Sequence, residues 1–146
     1  MGSSPGGVAV APDGRHVYVA NFDSLNVSVI DTTTNTVATV TMGSSPRKVA
    51  VTPDGKHVYV TSFLSNTVSV IDTASNTVAG TPIPVGNCPH EVAITPDGKH
   101  AYVANGCDNT VSVIDTGSNT VEPAVIMVGM LPLGWQSCRR RRASRS

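Results

Sequence analysis

Short runs in which apolar, mostly β-branched residues alternate with polar residues recur along the chain. In its middle third such runs cover residues 48–52, 57–61 and 67–72, and a fourth run begins at Thr77. Alternation with a period of two is typical of a half-buried strand, and Val, Ile and Thr favour strands. Four successive strands are therefore predicted here, separated by short polar connections.

The connections between these runs carry turn residues. Pro53, Asp54 and Gly55 join the first run to the second. Pro sets φ for a turn, Asp caps the turn through its side chain, and Gly accepts a positive φ. Residues 72–76 join the third run to the fourth, and Asn76 suits a left-handed position. The turns predict antiparallel pairing between consecutive strands.

The same unit occurs three times. Its Pro-Asp-Gly turn recurs at residues 12–14, 53–55 and 96–98, so the spacing is 41 residues and then 43. The two extra residues are expected near Thr81 and Pro82, in the connection between units. Four antiparallel strands at this period indicate a blade of a β-propeller, whereas the main rival, a meandering sandwich, seldom repeats its sequence so faithfully. The predicted fold is all-β: a partial, unclosed propeller with three four-stranded antiparallel blades.

The predicted blades are residues 2–42, 43–85 and 86–128, and residues 129–146 begin a fourth blade and run into an irregular Arg-rich tail. Residues 1–5 recur at 42–46, which favours a piece of a longer propeller. The codons of residues 134–138, read from the last base of codon 134, permit the Val-Ala-Val of a fourth blade. One hypothesis is therefore a frameshift near codon 134; the alternative is a genuine basic tail for anions or a membrane surface.

Three blades do not close a ring, which usually needs about four to eight. Apolar faces are therefore expected to be exposed on the first and third blades. The chain is expected to self-associate to complete the ring, with two copies supplying six blades, or to remain an open arc, or to be poorly stable.

Residues 49–60 and 66–73 read VAVTPDGKHVYV and NTVSVIDT. Together they resemble the YVTN β-propeller repeat, although the tetrapeptides at 18–21, 59–62 and 102–105 are each imperfect. The resemblance implies proteins of archaeal surface layers and bacterial envelopes, and hence an extracytoplasmic setting for the parent protein, although no signal peptide is visible in this chain. Related propellers include sugar-lactone hydrolases and a periplasmic DNA-binding protein.

Charge and hydropathy exclude some partners. All ten acidic residues precede residue 139 and only five of the ten basic residues do, so residues 1–138 carry a net charge of −5. This acidic charge disfavours nucleic acid as a partner of the blades. The longest uncharged apolar stretch, residues 123–135, is short and interrupted by Pro and Gly, so no membrane span is predicted.

No catalytic set emerges from the sequence. His16, His57 and His100 occupy one repeat position, at the start of the second strand of each unit, which favours a scaffold role. Neither a nucleophilic triad nor zinc-ligand spacing is present, and no catalytic residue, metal or cofactor is predicted. The predicted function is a non-enzymatic module of the cell envelope with a binding or structural role. The alternative is a fragment of a lactonase-type hydrolase whose catalytic residues converge from several blades.

Function in a repeat protein is expected where the units differ. Alternating strand directions bring the loops after the second and fourth strands to one face. There the positions after the repeated Pro, and the loops after the second strands, vary between units. A ligand is expected to contact four charged or polar residues and two aromatic residues at these positions: Arg47, Lys48, His90, Glu91, Phe22 and Phe63. The alternative is that these are tolerant loop positions.

Cys88 precedes the first strand of the third unit and Cys107 follows its second strand. Because those strands pair antiparallel, the two cysteines are expected to be neighbours. A disulfide is predicted, which would imply an oxidising compartment. Two free thiols, or a weak metal site with His90, are the alternatives.

Overall fold

A computed structural model of the chain describes residues 4–123 and 125–128. These residues form strands joined by turns. The strands are β1 (Pro5–Val10), β2 (His16–Asn21), β3 (Asn26–Asp31), β4 (Thr36–Thr41), β5 (Pro46–Val51), β6 (His57–Ser62), β7 (Thr67–Asp72), β8 (Thr77–Pro84), β9 (Pro89–Ile94), β10 (His100–Asn105), β11 (Thr110–Asp115), β12 (Thr120–Val121) and β13 (Ile126–Met127). Within the described residues, no helix is long and apolar enough to cross a membrane.

The strands form three antiparallel sheets in chain order: β1 to β4, β5 to β8, and β9 to β12. Strand β13 also pairs with β11, so that β12 and β13 together take the place of the fourth strand in the third blade. The predicted propeller architecture, with three four-stranded blades in an unclosed arrangement, is confirmed.

The turns have the predicted chemistry. Gly55 has a φ of 73° and Asn76 a φ of 55°, both in the left-handed region that these residues tolerate best. The Asp54 carboxylate accepts a hydrogen bond from the backbone N–H of Lys56, at 3.0 Å. Each turn thus restricts the connection to a single tight path, which sets the register of the strands on either side.

The two extra residues of the longer repeat lie near Thr81 and Pro82, as expected, but they belong to a strand and not to a connection between blades. They lie within β8, where Val68 pairs with Ile83 but Val70 pairs with Ala79. The outer strand therefore contains a bulge. An insertion is tolerated there because an edge strand has a neighbour on only one side, so few ladder hydrogen bonds are lost. The third blade makes the same shift between β12 and β13.

The core lies between the blades, and strands β1, β5 and β9 pack side by side along its inner edge. Tyr18 and Val27 of the first blade pack with Val58 and Ile71 of the second. The opposite face of the second blade, including Tyr59, packs against the third. Blade two is therefore covered on both faces, whereas residues 4–123 and 125–128 cover the first and third blades on one face only.

The uncovered faces are apolar, as expected. Val8 on the free face of blade one is 65% exposed, whereas Val49 at the same repeat position is 9% exposed. Tyr102 on the free face of blade three is 41% exposed, whereas Tyr59 at the same position is 1% exposed. Each end of the arc thus presents one half of an interface that forms twice inside the chain.

Candidate functional site

The loops that follow the second and fourth strands of each blade meet at one end of the sheets. We call this end the loop face; it comprises Ser4 and residues 22–25, 42–45, 63–66, 85–88 and 106–109. Backbone hydrogen bonds connect the two kinds of loop, from Phe22 N–H to Ser4 O at 3.0 Å and from Gly106 N–H to Cys88 O at 2.9 Å. The loops after the second and fourth strands therefore lie together, as predicted.

Three of the predicted ligand-binding side chains form a stack beside the loop face. The Arg47 guanidinium carbon lies 4.9 Å from the centroid of the Phe63 ring. The Phe63 and His90 rings meet edge to face, with centroids 5.1 Å apart. Arg47 and His90 stand near the start of inner strands β5 and β9, and Phe63 contacts both of them from the loop after β6. The contact restricts the rotamers of the arginine and holds its guanidinium in place.

Lys48 and Glu91 form a second contact between the same inner strands. Their charged atoms are 3.9 Å apart, and the side chains are 36% and 65% exposed. A pair this exposed contributes little to stability because water screens it. Its consequence for the site is electrostatic: Glu91 offsets one of two neighbouring positive charges.

A cavity of about 280 Å³ opens beside this stack. It is lined by five residues of the first two blades: Ser4, Gly6, Phe22, Arg47 and Lys48. Gly6 and Gly7 of β1 allow β1 to approach β5 closely, and this close approach shapes the cavity. A Cβ atom on Gly6 would lie 3.2 Å from the Arg47 carbonyl oxygen, and one on Gly7 would lie 2.7 Å from the Lys48 Cα. A larger residue in place of Gly7 would therefore push the first two inner strands apart.

The lining of the cavity is positively charged. Among the described residues, the buried Nε atom of Arg47 has no hydrogen-bond partner. Burial lowers the pKa of His90 below its usual value, and the nearby Arg47 charge lowers it further. His90 is therefore neutral at pH 7, and the charged residues that line the cavity itself are the cations Arg47 and Lys48. Two carboxylates stand behind this lining: Glu91 beside Lys48, and Asp23, which accepts a hydrogen bond from the Ser4 hydroxyl. The positive charge of this lining favours the binding of an anionic group in the cavity.

The six predicted ligand-binding residues thus lie near one another, but only three of them line the cavity. Phe22, Arg47 and Lys48 line the cavity. The other three do not line the cavity but are connected to residues that do. Phe63 contacts Arg47, His90 contacts Phe63, and Glu91 lies beside Lys48. Their role in binding stays a prediction.

Cys88 and Cys107 form a disulfide with a Cα–Cα distance of 5.4 Å. It connects the two loops that flank β9 and β10 on the loop face. Polar side chains that the sequence did not single out hold these loops from both sides. The Asp108 carboxylate accepts a hydrogen bond from Asn87 N–H at 2.8 Å, and Asn66 Oδ1 accepts one from Cys88 N–H at 3.0 Å. The disulfide and these hydrogen bonds therefore restrain the loops of the third blade on this face.

The opposite end of the third blade contains a cluster that the sequence also did not reveal. His100, Asp115 and Glu122 place their ligand atoms within 4.8 Å of one another. A comparison of the repeats could have found Glu122, because Ala38 and Ala79 stand at its position in the first and second blades.

Fold and sheet order define the class of protein as a β-propeller. Residues 2–94 match the family model described as a YNCE-like beta-propeller. This match covers more than half of the chain, so the chain belongs to the YNCE-like β-propeller family. A search of curated proteins found no match.

Two solved structures are similar to this chain. One is titled hydrazine synthase of Kuenenia stuttgartiensis, with a TM-score of 0.81 and 36% sequence identity over 86% of this chain and 36% of that one. The other is titled a functionally unknown protein from Desulfotomaculum acetoxidans, with a TM-score of 0.78 and 22% identity over 90% of this chain and 45% of that one. The chain thus spans less than half the length of either structure, and the second likeness shows the fold alone.

Proposed function

We propose that this chain is a non-enzymatic propeller module of the cell envelope that binds a small anionic ligand in the cavity beside its loop face. The observation that carries the proposal is Arg47. Its Nε atom is buried without a partner among the described residues, and the side chain lines the cavity. An unpaired buried donor costs about 1–3 kcal/mol, and an anion at this point would remove that cost.

The chemistry of the lining supports an organic carboxylate. A guanidinium binds a carboxylate through two parallel N–H bonds, and the contact with Phe63 restricts Arg47 before any ligand arrives. Lys48 adds a second positive charge, and Phe22 offers an apolar surface for the body of the ligand. Pockets with a few polar groups on an apolar wall are the usual form of a small-molecule site.

A binding role is favoured over a catalytic one by the partners of the titratable groups. Glu91 lies beside Lys48, and His90 lies against the Phe63 ring. A general base needs to stand within hydrogen-bond reach of a nucleophile or a substrate proton. These contacts direct both groups to neighbouring side chains.

An extracytoplasmic setting is supported by the disulfide between Cys88 and Cys107. Disulfides persist in oxidising compartments and are rare in the cytosol. Fractionation of the source cells, followed by immunodetection, tests this part of the proposal. A protein found in the cytosolic fraction with both thiols reduced would contradict it.

The binding proposal is tested by titrating the protein with benzoate and following backbone amide chemical shifts by NMR. We expect shifts at the amides of Phe22, Arg47 and Lys48, and no matching shifts with neutral benzamide. Arg47→Gln removes the charge and is expected to abolish the response. The matched control is Lys56→Gln, which removes a positive charge from a turn at the opposite end of the second blade.

Saturable shifts that persist in Arg47→Gln would overturn the assignment of this cavity. So would an equal response to benzoate and benzamide, because the anion would then contribute nothing. The double variant Arg47→Ala, His90→Ala tests the wider stack. If it binds benzoate as well as the unaltered chain does, the Arg47–Phe63–His90 stack has no part in binding.

A further inference from the structure

Three potential metal ligands meet on the third blade, at the end of the strands away from the loop face. His100 begins β10, Asp115 ends β11 and Glu122 directly follows β12. Their ligand atoms all lie within 4.8 Å of one another, and His100 Nε2 is 3.8 Å from Glu122 Oε2. Imidazole nitrogen and carboxylate oxygen are both common zinc ligands.

Strand register explains why these side chains meet. His100 lies directly opposite Asp115 in the ladder between β10 and β11, and Asp115 lies opposite Thr120. Glu122 is two residues beyond Thr120, and alternate residues of a strand share one face. A hydrogen bond from Glu122 N–H to Val113 O, at 2.7 Å, continues the pairing to that point. The sheet therefore presents all three side chains on the same face.

Comparison of the three blades shows which residues of this cluster occur in every blade and which occurs in one blade alone. His16 lies opposite Asp31 in the first blade, as His57 lies opposite Asp72 in the second. The histidine–aspartate pair is thus common to every blade.

The third ligand belongs to blade three alone. Ala38 pairs with Val29, and Ala79 pairs with Val70. Ala38 and Ala79 are the repeat equivalents of Glu122. Val29 and Val70 are those of Val113, whose carbonyl oxygen accepts a hydrogen bond from Glu122 N–H. Packing of the blades therefore needs nothing larger than alanine here, and Glu122 adds a carboxylate that the fold does not require.

We propose that His100, Asp115 and Glu122 bind a divalent transition-metal ion, with Zn²⁺ as the best fit. One nitrogen and two oxygens suit Zn²⁺, with water as the fourth ligand. Zinc–ligand bonds of about 2.0–2.2 Å set ligand atoms roughly 3.4 Å apart, so the side chains close by about 1 Å on binding. The side chains of His100 and Glu122 are 39% and 41% exposed and are free to make that movement.

A further contact orients the Asp115 ligand. Its Oδ1 atom accepts a hydrogen bond from Gly117 N–H at 2.9 Å, which fixes the plane of the carboxylate and leaves Oδ2 for a metal. Hydrogen bonds of this kind orient metal ligands and raise metal affinity.

The site stays accessible when a neighbouring blade packs against this face. The equivalent histidine of the second blade, His57, lines an open cavity of about 440 Å³ between blades two and three. A blade packed on the third would therefore leave comparable room around His100. The proposed metal site is also independent of the anion cavity, which lies at the other end of the sheets.

Zinc binding is measured with tag-free protein, stripped of metal by a chelator, in competition with a chromophoric zinc indicator. The Cys138→Ser background removes a thiol that could bind zinc elsewhere. We expect one zinc ion per chain. Loss of a hydrogen-bond partner of a ligand already costs about 10–100-fold in affinity, so Glu122→Ala, which removes a ligand, is expected to cost at least about tenfold.

The matched controls come from the other blades. His57→Ala removes the equivalent histidine from a blade without the third ligand, and is expected to leave zinc affinity unchanged. His100→Ala is expected to weaken it as Glu122→Ala does. Unaltered melting curves by circular dichroism confirm that each variant folds. Absence of stoichiometric zinc binding, or an equal loss in His57→Ala and His100→Ala, would overturn the proposal.

A gain of binding provides the second test. Ala38 is exposed on the outer strand of blade one, beside the His16–Asp31 pair. Ala38→Glu is therefore expected to raise the stoichiometry from one zinc ion per chain to two, and His16→Ala is expected to reverse the gain. A stoichiometry of one in Ala38→Glu would show that these three positions do not suffice, and would count against the ligand set.

Discussion

The hydroxyl of Tyr59 on the second blade donates a hydrogen bond to the side-chain oxygen of Asn119 on the third. Asn119 is the left-handed residue of a turn, with a φ of 55°. The same residue therefore closes a turn in its own blade and accepts a bond from the blade before it. Tyr102, one repeat later, is 41% exposed because the described chain supplies no blade to cover it.

We expect Tyr59→Phe to lower the free energy of unfolding by about 1 kcal/mol, because the ring stays packed and only the hydrogen bond is lost. Urea denaturation followed by circular dichroism measures the change. Tyr102→Phe is the matched control and should change stability by less than about 0.5 kcal/mol. Equal effects of the two substitutions would mean that the bond between blades contributes nothing.

The same tyrosine predicts a loss of stability at high pH. Burial raises the pKa of Tyr59 from 10.0 to about 12, and the charges of Asp115 and Asp54 add to the effect. The unfolded chain loses this proton near pH 10 and the folded chain near pH 12. The contribution of Tyr59 is thus complete below pH 10 and falls as the pH rises towards 12.

This pH dependence is measured as the difference in unfolding free energy between the unaltered chain and Tyr59→Phe. The difference is expected to shrink between pH 10 and about 12 and to be constant between pH 7 and 9. A difference that stays constant throughout would show that Tyr59 ionises alike in both states.

Reduction of the disulfide is expected to destabilise the chain. Cys88 and Cys107 are 19 residues apart, and closing a loop of this size in the unfolded chain corresponds to roughly 3 kcal/mol. Urea denaturation with and without reductant, in a Cys138→Ser background, measures the effect. Reductant should not change the stability of the double variant Cys88→Ser, Cys107→Ser. Equal stability with and without reductant in the parent chain would contradict the prediction.

Gly7→Ala is expected to cost more than Gly6→Ala. The added Cβ of Gly7→Ala meets the Lys48 Cα at 2.7 Å, and backbone cannot move aside as a flexible side chain can. The tightest contact of the Gly6 Cβ is the Arg47 carbonyl oxygen at 3.2 Å. A cost of about 1–3 kcal/mol is typical of overpacking, and urea denaturation of both variants tests the order. The reverse order would indicate that β1 moves freely relative to β5.

We expect the chain to self-associate through its two uncovered faces. Val8 and Val10 on blade one are 65% and 59% exposed, and a second copy can cover them as blade one covers Val49. Sedimentation velocity should show a mass above 15.1 kDa that rises with concentration. Val8→Lys should restore the single chain. Leu64→Lys should not, because Leu64 is 67% exposed on the loop face of the middle blade, away from both uncovered faces. A single chain at all concentrations would contradict the expectation.

Much of the fold could be predicted because each local signal agrees with the next. The residues that set a turn, Pro53 to Gly55, stand between alternating runs of the right length, and three copies of the unit exclude accidental matches. The extra residues could be placed near Thr81 and Pro82, but not recognised as a bulge in β8, because an insertion in an outer strand and one in the following loop leave the same spacing between units. Only the pairing of Val70 with Ala79 distinguishes them.

The candidate site was predicted in part. The positions where the blades differ led to Arg47 and His90, because departures from a repeat are visible in sequence. The stack of these residues on Phe63 depends on the distance between neighbouring blades, which the repeat does not encode in any single position. Glu122 was missed because it lies beyond the strand residues on which the repeat is most obvious.

Within each sheet, strands β1 to β12 pair with their neighbours in the chain, and turns of a few residues join them; β13 pairs with β11. Each blade can therefore form from about forty consecutive residues without waiting for distant sequence. Such local topology shortens the loops that must close and speeds folding. We expect that during synthesis the four strands of one blade are available to pair before those of the next have been made, so that each new blade can pack against the one before it.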